Sequence, residues 1–506
     1  MTNREKWFEV SEDIEKEHEK EVRKKDRQIR GLQDRVLNTQ RQRDEALDKR
    51  QEEKTAKEQL QEELEEERGK NRKLTAQVNR DFRNSSIPSS QQGPGRKKIP
   101  NSREATGKKP GGQPGHEGHR LTRRVPTTTI PLADPEKYLQ DPDYYPTERF
   151  ANRQKIVLHV SDEIVVYNAR IVRHRGTGSR VHADFPKGFE RDISYDGSVK
   201  AFAFLLNNEC NVSCAKTRRM IAEITGGRID ISEGTISKLA REFSAKTEEE
   251  KKVILEDLMS SPVLNTDFTN ANVNGEAKQV LIIASPTADA RMCIARDHKG
   301  HKGIEGTPLE QYCGTLVHDH DKTFYSYGMD HQECMQHNDR YLAGAMQNEP
   351  DLSWHGKMRA LIKEMIDYRN GLGEAPFDPE LVKKYEERYD RIIKLAGRDY
   401  QKHSPGKYYR DGYNLYLRLK EYKENELKFL HDKSIPANNS LAERIARVFK
   451  RKQKQVMAFR SDDGLFYLCD VLGPIHMLRA QKQNVYMKVT DIFNRAVPKQ
   501  GADRQL

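Results

Sequence analysis

Three carboxylates in this sequence stand where they could hold divalent cations. Pro262-Val-Leu-Asn-Thr-Asp267 reads as a strand ending on an acid, and Gly314-Thr-Leu-Val-His-Asp319 reads as another. If those strands are neighbours, Asp267 and Asp319 meet at one sheet edge and repel each other until a cation lies between them. Mg2+, or Mn2+ in its place, suits such a pair because it takes oxygen ligands and keeps room for waters and phosphate oxygens. Two such ions can hold the attacking and leaving oxygens of an in-line phosphoryl displacement. Asp321 rivals Asp319, since both follow the same strand, but Asp319 directly ends the apolar run.

The third acid lies on a helix. Asn438-Asn-Ser-Leu-Ala-Glu-Arg-Ile-Ala-Arg-Val-Phe-Lys-Arg-Lys452 starts with capping residues and continues as a strong helix former. At 3.6 residues per turn Leu441, Ile445 and Val448 share one face. Glu443 falls nearly opposite, on the side of Arg447, Lys450 and Lys454, with Arg451 close by. A carboxylate among cations makes sense if Glu443 ligates a metal while Arg447, Lys450, Arg451 and Lys454 hold a DNA backbone. An ordinary amphipathic helix with a Glu443–Arg447 pair also explains the charges, but not Asn438-Asn439 or the acid-ended strands.

His331, Cys334 and His337 form an H-x-x-C-x-x-H run with zinc-like spacing. A fourth ligand is not obvious among His318, His320 and His355, and a packed cysteine is expected instead of structural zinc. The six cysteines are scattered and lack a disulfide-scaffold pattern. The N-terminus has no apolar signal core, and the run Val280-Leu-Ile-Ile-Ala284 suits a buried strand and not a membrane span. These features predict a soluble intracellular protein with no membrane partner.

The elements that must position these residues form a mosaic. The chain has 506 residues, 35% hydrophobic and 33% charged, with 89 Lys and Arg against 78 Asp and Glu. Its net charge of +11 favours a polyanionic partner. Residues 1–82 read as a coiled-coil helix, with Ile29, Leu32, Val36, Leu60, Leu64, Leu74 and Val78 on a thin seam. A solvated single helix is the competing reading. Residues 83–125 form a basic Gly/Pro-rich linker whose Lys97, Lys98, Lys108 and Lys109 are candidate phosphate contacts. Alternating segments such as Lys155-Ile-Val-Leu-His-Val160 predict a small β-rich module over 126–192. Helices over Ser198–Leu206 and Ala215–Ile224, the Gly226-Gly227 turn and a Ser232-capped helix fit a helix-turn-helix module over 193–256, or equally a helical packing module. The acids then divide a catalytic region into 257–345 and 435–482, around a helical insertion at 346–434, with a tail over 483–506.

The chain resembles bacterial transposases of the insertion sequence 66 family. The resemblance is carried by Asn84-Ser-Ser-Ile-Pro-Ser-Ser90, Lys108-Lys-Pro-Gly-Gly-Gln-Pro-Gly-His-Glu-Gly-His119 and Ile231-Ser-Glu-Gly-Thr-Ile236. It continues through Leu316-Val-His-Asp319, Cys334-Met-Gln-His337 leading to Arg340, and Asn439-Ser-Leu-Ala-Glu-Arg444. It implies an α/β, ribonuclease-H-like catalytic domain in which Asp267, Asp319 and Glu443 form a DDE triad using two Mg2+ or Mn2+ ions. It further implies end cleavage and strand transfer on double-stranded DNA, a cytoplasmic, nucleoid-associated bacterial protein, a homo-oligomer and small companion proteins. Two positions depart from the family. Pro126 to Asp192 lacks the cysteines of the family's zinc finger, and Phe268 follows Asp267 where the family has a glutamate. The second departure leaves open a DNA-binding protein that has kept the fold without the chemistry. A coiled-coil assembly protein is a third reading, and it leaves the strand-end acids unexplained.

Overall fold

The computed structural model describes residues 15–81, 84–85, 115, 117, 121–186, 192–403, 405, 407–408 and 410–496. Lys97, Lys98, Lys108 and Lys109 lie outside them. Helix α1 (Glu15–Asn79) is a single 65-residue helix. A sequence without proline and dense in Glu, Lys, Arg and Gln favours that outcome. Leu32, Val36, Leu60, Leu64, Leu74 and Val78 are all exposed.

The β-rich expectation for 126–192 is corrected. The described residues there carry a four-residue helix, Glu136–Leu139, and a two-rung ladder between Val172–Arg173 and Arg180–Val181. Leu158, Ile164 and Val166 remain exposed. Alternation makes a strand only where another layer buries one of its faces, and among the described residues none covers Leu158, Ile164 or Val166.

Helices α2 (Gly197–Phe204), α3 (Cys214–Ile224) and α4 (Glu233–Lys246) follow. Their first turns are capped by the side chains of Asp196, Ser213 and Ser232, each accepting a backbone N–H. Gly226 and Gly227 turn the chain between α3 and α4 with φ of +60° and +83°. The apolar faces of these helices are covered from the far end of the chain. Ile221, Ile236 and Phe243 are buried with Val471 and Ile475 of α11 (Asp462–Ala480) and Phe493 of α12 (Val485–Asn494). Within the segment expected as a C-terminal tail, 483–506, the described residues thus include a packed helix, Val485–Asn494.

Helix α5 (Glu248–Ser260) leads into a mixed five-stranded sheet. Its strands are β1 (Val263–Val273), β2 (Glu276–Ala284), β3 (Arg291–Arg296), β4 (Thr315–His318) and β5 (Asp330–Glu333), in spatial order β3-β2-β1-β4-β5. The first three are antiparallel neighbours, whereas β4 joins β1 and β5 joins β4 in parallel. This mixed α/β arrangement is consistent with a ribonuclease-H-like domain. One sheet face is buried against α10 (Ser440–Val456) and α11, through Ala271, Val280, Ile445 and Phe449. The other face packs Leu264, Leu281 and Ile283 on Ile254 and Leu258 of α5.

Between β5 and α10 lie α6 (Met335–Asn348), α7 (Trp354–Gly371), α8 (Pro379–Lys402), α9 (Asp411–Glu421) and a short helix, Lys423–Leu427. Their core is built on Trp354, Met358, Leu361, Tyr389 and Leu419. Among the described residues no helix is long and apolar enough to cross a membrane.

Candidate active site

Strand register brings the two aspartates level. Leu264 pairs with Leu316 and Asn265 with Val317 in the parallel β1–β4 ladder. Asp267 and Asp319 each lie two residues beyond that last pair. The expectation that β1 ends at Asp267 is corrected, because β1 continues to Val273 with Asp267 paired to Ile282 of β2. β4 stops at His318, so the acid edge forms where the parallel partner ends and β1 runs on.

Alternation along β1 directs Asp267 to the face covered by α10 and Phe268 to the opposite face. Phe268 stacks on Phe324 with ring centroids 5.6 Å apart, within the cluster on the α5 side of the sheet. The position where the family has an acid therefore points away from Asp267 and fills an apolar layer.

Glu443 occupies the first turn of α10. Asn439 immediately precedes that helix and fixes it to β1. Its Nδ2 donates to the Thr266 carbonyl at 2.8 Å, and its Oδ1 accepts from Asn265 Nδ2 at 2.9 Å. Its backbone N–H donates to Cys334 Sγ at 3.2 Å, while Asn438 Oδ1 accepts from the Ser440 N–H at 3.1 Å. These bonds explain the Asn438-Asn439 pair that an amphipathic helix left unexplained.

Burial and the neighbouring Asp319 and Glu443 carboxylates push the Asp267 carboxyl well above the usual aspartate range. The Phe268 N–H partly opposes that shift, and Asp321 adds a smaller push. The rivals in the 319–321 loop have different partners. Asp321 caps the turn Lys322–Ser326, its carboxylate accepting from the Thr323 N–H at 3.0 Å. Asp319 Oδ1 accepts only the Asp321 N–H, at 3.2 Å, among the hydrogen bonds of its described side chain. Glu443 has Arg447 at 3.3 Å, Arg340 at 3.9 Å and His337 at 4.0 Å. Its Oε1 is nevertheless buried without a hydrogen-bond partner among the described residues.

The face of α10 is rotated from the sequence expectation. Ala442, Ile445 and Phe449 are the buried apolar residues, with Leu441 and Val448 at the flank. Glu443 is accordingly not opposite the core: its side chain is 17% exposed. The cations divide as well. Arg444, Arg447, Arg451 and Lys454 are exposed along one side, whereas Lys450 donates to the Asn270 carbonyl of β1. Lys452 is buried, donating to the Asn207 carbonyl at 2.6 Å, and burial lowers its pKa to about 8. Asn207 belongs to a π-helical turn, Leu205–Glu209, so this bond ties the α2 layer to α10.

The H-x-x-C-x-x-H run divides too. His331 Nδ1 meets His318 Nε2 at 3.2 Å, and His355 Nε2 lies 3.0 Å from Glu349. Cys334, His337 and Glu443 offer ligand atoms within 4.8 Å of one another. Burial pushes the Cys334 thiol up to about 11. His337 is held below the usual histidine range by burial, against the pull of Asp319 and Glu443.

A buried network beneath the acid loop escaped the sequence. His320 Nδ1 lies 2.5 Å from Glu333 Oε1, Tyr325 donates to the same oxygen, and Arg418 Nε is 3.2 Å from Glu333 Oε2. Burial alone would raise Glu333, but His320 and Arg418 hold its carboxyl down to about 2. Glu426, also beside Arg418, is pushed well above the usual range by burial and by Glu333. No spacing in the sequence marks this set, because it joins β5 to two helices of the insertion. Asn265, Arg340 and Arg444 were likewise missed as site residues, although the spacing of His337 and Arg340 places them on one face of a helix.

The family model described as Transposase IS66 family matches residues 198–466, slightly more than half the chain and a span that holds all three acids. No curated protein matches the chain. Its sheet order, its acids and this match together place the chain in the IS66 transposase family.

Proposed function

We propose that this chain is an active DDE transposase that cuts DNA at transposon ends and joins the freed 3′ ends to target DNA. The observation that carries the reading is that parallel pairing sets Asp267 level with Asp319, while Asn439, at the start of the helix bearing Glu443, is hydrogen-bonded to the strand bearing Asp267. The residues present fit divalent cations. Asp267 carries a pKa raised by burial and by two other carboxylates, and Glu443 presents a buried oxygen with no hydrogen-bond partner among the described residues. Asp267, Asp319 and Glu443 would hold Mg2+ or Mn2+. Bound there, two ions would supply charge stabilisation at the pentacoordinate phosphorus and a lowered pKa for the attacking water or 3′-hydroxyl.

The protein's own groups supply the rest. Arg340 and His337 flank Glu443 and orient its carboxylate. The exposed Arg444, Arg447, Arg451 and Lys454 lead away along α10 and would track a phosphate backbone. Lys97, Lys98, Lys108 and Lys109 would extend that contact. Phe268, packed on the opposite face of the sheet, takes no acid from the site, which favours active chemistry over a DNA-binding relic. Self-association through α1 would bring two catalytic bodies to paired DNA ends, with small companion proteins joining the assembly.

The test is end cleavage and strand transfer on the element's own terminal repeats with Mg2+ or Mn2+, with companion proteins supplied. Asp267→Asn, Asp319→Asn and Glu443→Gln should each abolish both steps while DNA binding persists. Cleavage surviving in all three variants would refute the site. DNA binding without cleavage by the unaltered protein would favour the relic.

A further inference from the structure

Helix α1 carries one unbroken heptad frame whose charged positions specify the orientation of a partner. With Val36 at a, the a positions are Val36, Arg43, Arg50, Lys57, Leu64, Asn71 and Val78. The d positions are Leu32, Thr39, Ala46, Glu53, Leu60, Glu67 and Leu74. The aliphatic residues at the two ends of this seam are exposed, from Leu64 at 50% to Val78 at 66%.

The opposite side of α1 is already in use. Glu66 accepts from the Tyr408 hydroxyl, and a Cβ at Gly69 would lie 2.8 Å from the Tyr408 ring. Ala76 is buried, and Arg80 pairs with Asp411 at 3.0 Å. Glu66 and Arg80 are c positions, and Gly69 and Ala76 are f positions, which lie across the helix from a and d. The chain's own insertion, through Tyr408 and the start of α9, thus holds α1 by its back and leaves the seam outward.

We infer that the seam pairs with α1 of a second copy in an antiparallel coiled coil with one defined register. This rests on the self-association proposed above and adds its geometry. A parallel, in-register pair would stack Arg43, Arg50 and Lys57 on their own copies, and Glu53 and Glu67 on theirs. All five charged layers would then be like-charged, which destabilises a seam. An antiparallel pair sets each a residue against a d residue. Aligning Val36 with Leu74 of the second copy sets Leu32 against Val78, Leu64 against Ala46 and Asn71 against Thr39. The same alignment sets Arg43 against Glu67 and Lys57 against Glu53, with Arg50 against Leu60. Both seam glutamates thereby meet seam cations. A slip of one heptad sets Val36 against Glu67 or Asp81 instead. At 1.5 Å per residue the register holds the two docked segments about 50–60 Å apart along the rod, so the catalytic bodies sit towards opposite ends.

The experiment uses the full chain with exposed Cys210 and Cys313 changed to Ser. Chains bearing Val36→Cys or Leu74→Cys are tagged differently, produced separately or together, and oxidised mildly. The expected result is a disulfide dimer containing one chain of each kind, with neither variant cross-linking alone. Lys57→Glu should raise the dimer Kd roughly tenfold, equivalent to about 1.4 kcal/mol, and adding Glu53→Lys should restore it. Cross-linking of Val36→Cys with itself would overturn the orientation but keep self-association. A dimer by light scattering that yields no mixed disulfide would overturn the register. A monomer by light scattering would overturn both the geometry and the self-association on which it rests.

Discussion

Asn265 donates its side-chain amide to Asn439 Oδ1 at 2.9 Å, and both residues are almost completely buried. Asn265 lies on the strand that carries Asp267, and Asn439 stands at the start of the helix that carries Glu443. Two acids distant in the chain are therefore spaced by a short polar clamp between their own elements. Replacing Asn439 with Ala leaves the Asn265 amide and the Thr266 carbonyl without their partner. We expect a stability loss of about 2–6 kcal/mol, the sum of two buried unpaired groups at about 1–3 kcal/mol each. Thermal unfolding would measure it, and cleavage should fall well below DNA binding in the same variant. Unchanged cleavage in Asn439→Ala would show that the clamp does not set the spacing of the acids.

Asp267→Asn is expected to separate stability from activity. Burial and two neighbouring carboxylates raise the Asp267 pKa in the fold. A raised pKa means that its stabilising contribution is present below the ordinary aspartate range and is lost as pH rises through the raised value. The metal-free variant should therefore unfold at a higher temperature than the parent above that range, by about 2–4 °C for each kcal/mol of repulsion removed. Mn2+ should raise the melting temperature of the parent more than that of the variant. Equal metal-induced shifts would argue against Asp267 as a ligand.

The Glu333–Arg418–Glu426 set should respond unequally to the loss of Arg418 and of Glu426. Glu333 is held at about 2, below its ordinary value, so its contribution is present above the ordinary glutamate range and is lost as pH falls towards 2. Arg418→Met leaves that carboxylate buried without its cation and should cost about 3–5 kcal/mol at neutral pH. Glu426 has the opposite sign, with its raised pKa favouring the neutral acid. Glu426→Gln should thus be nearly silent in mild acid and stabilising as pH rises. Denaturant unfolding of the two variants across pH would test this ordering, and a silent Arg418→Met would refute it.

The exposed stripe on α10 gives a salt-dependence prediction. Removing Arg447 or Arg451 should weaken DNA binding for all sequences alike and reduce the slope of log affinity against log salt by about 0.9 for each lost phosphate contact. Lys450→Ala should instead lower stability while changing that slope little, because its ammonium is bound to the Asn270 carbonyl. Binding titrations at several salt concentrations would distinguish the two behaviours.

The long helix and the strand before each aspartate were legible in the sequence, because periodicity and strand patterning are local properties. The same locality misled the reading over 126–192, where alternation alone predicted strands that have no layer to pack against. It also rotated α10, since the period allowed both Leu441/Val448 and Ala442/Phe449 as the inner face, and only contact with β1 and β2 selected the second. The continuation of β1 past Asp267, the turn of Phe268 away from the acids and the clamp from Asn439 to Asn265 depend on the parallel pairing of β1 with β4 and the docking of α10. By itself the sequence determined which residues could bind a cation and that the first helix would carry a repeating seam. Only the tertiary structure decided that Asp267 and Asp319 lie level at one sheet edge with the start of α10 bonded to the same strand, because pairing and hydrogen bonds between elements far apart in the chain fix those positions.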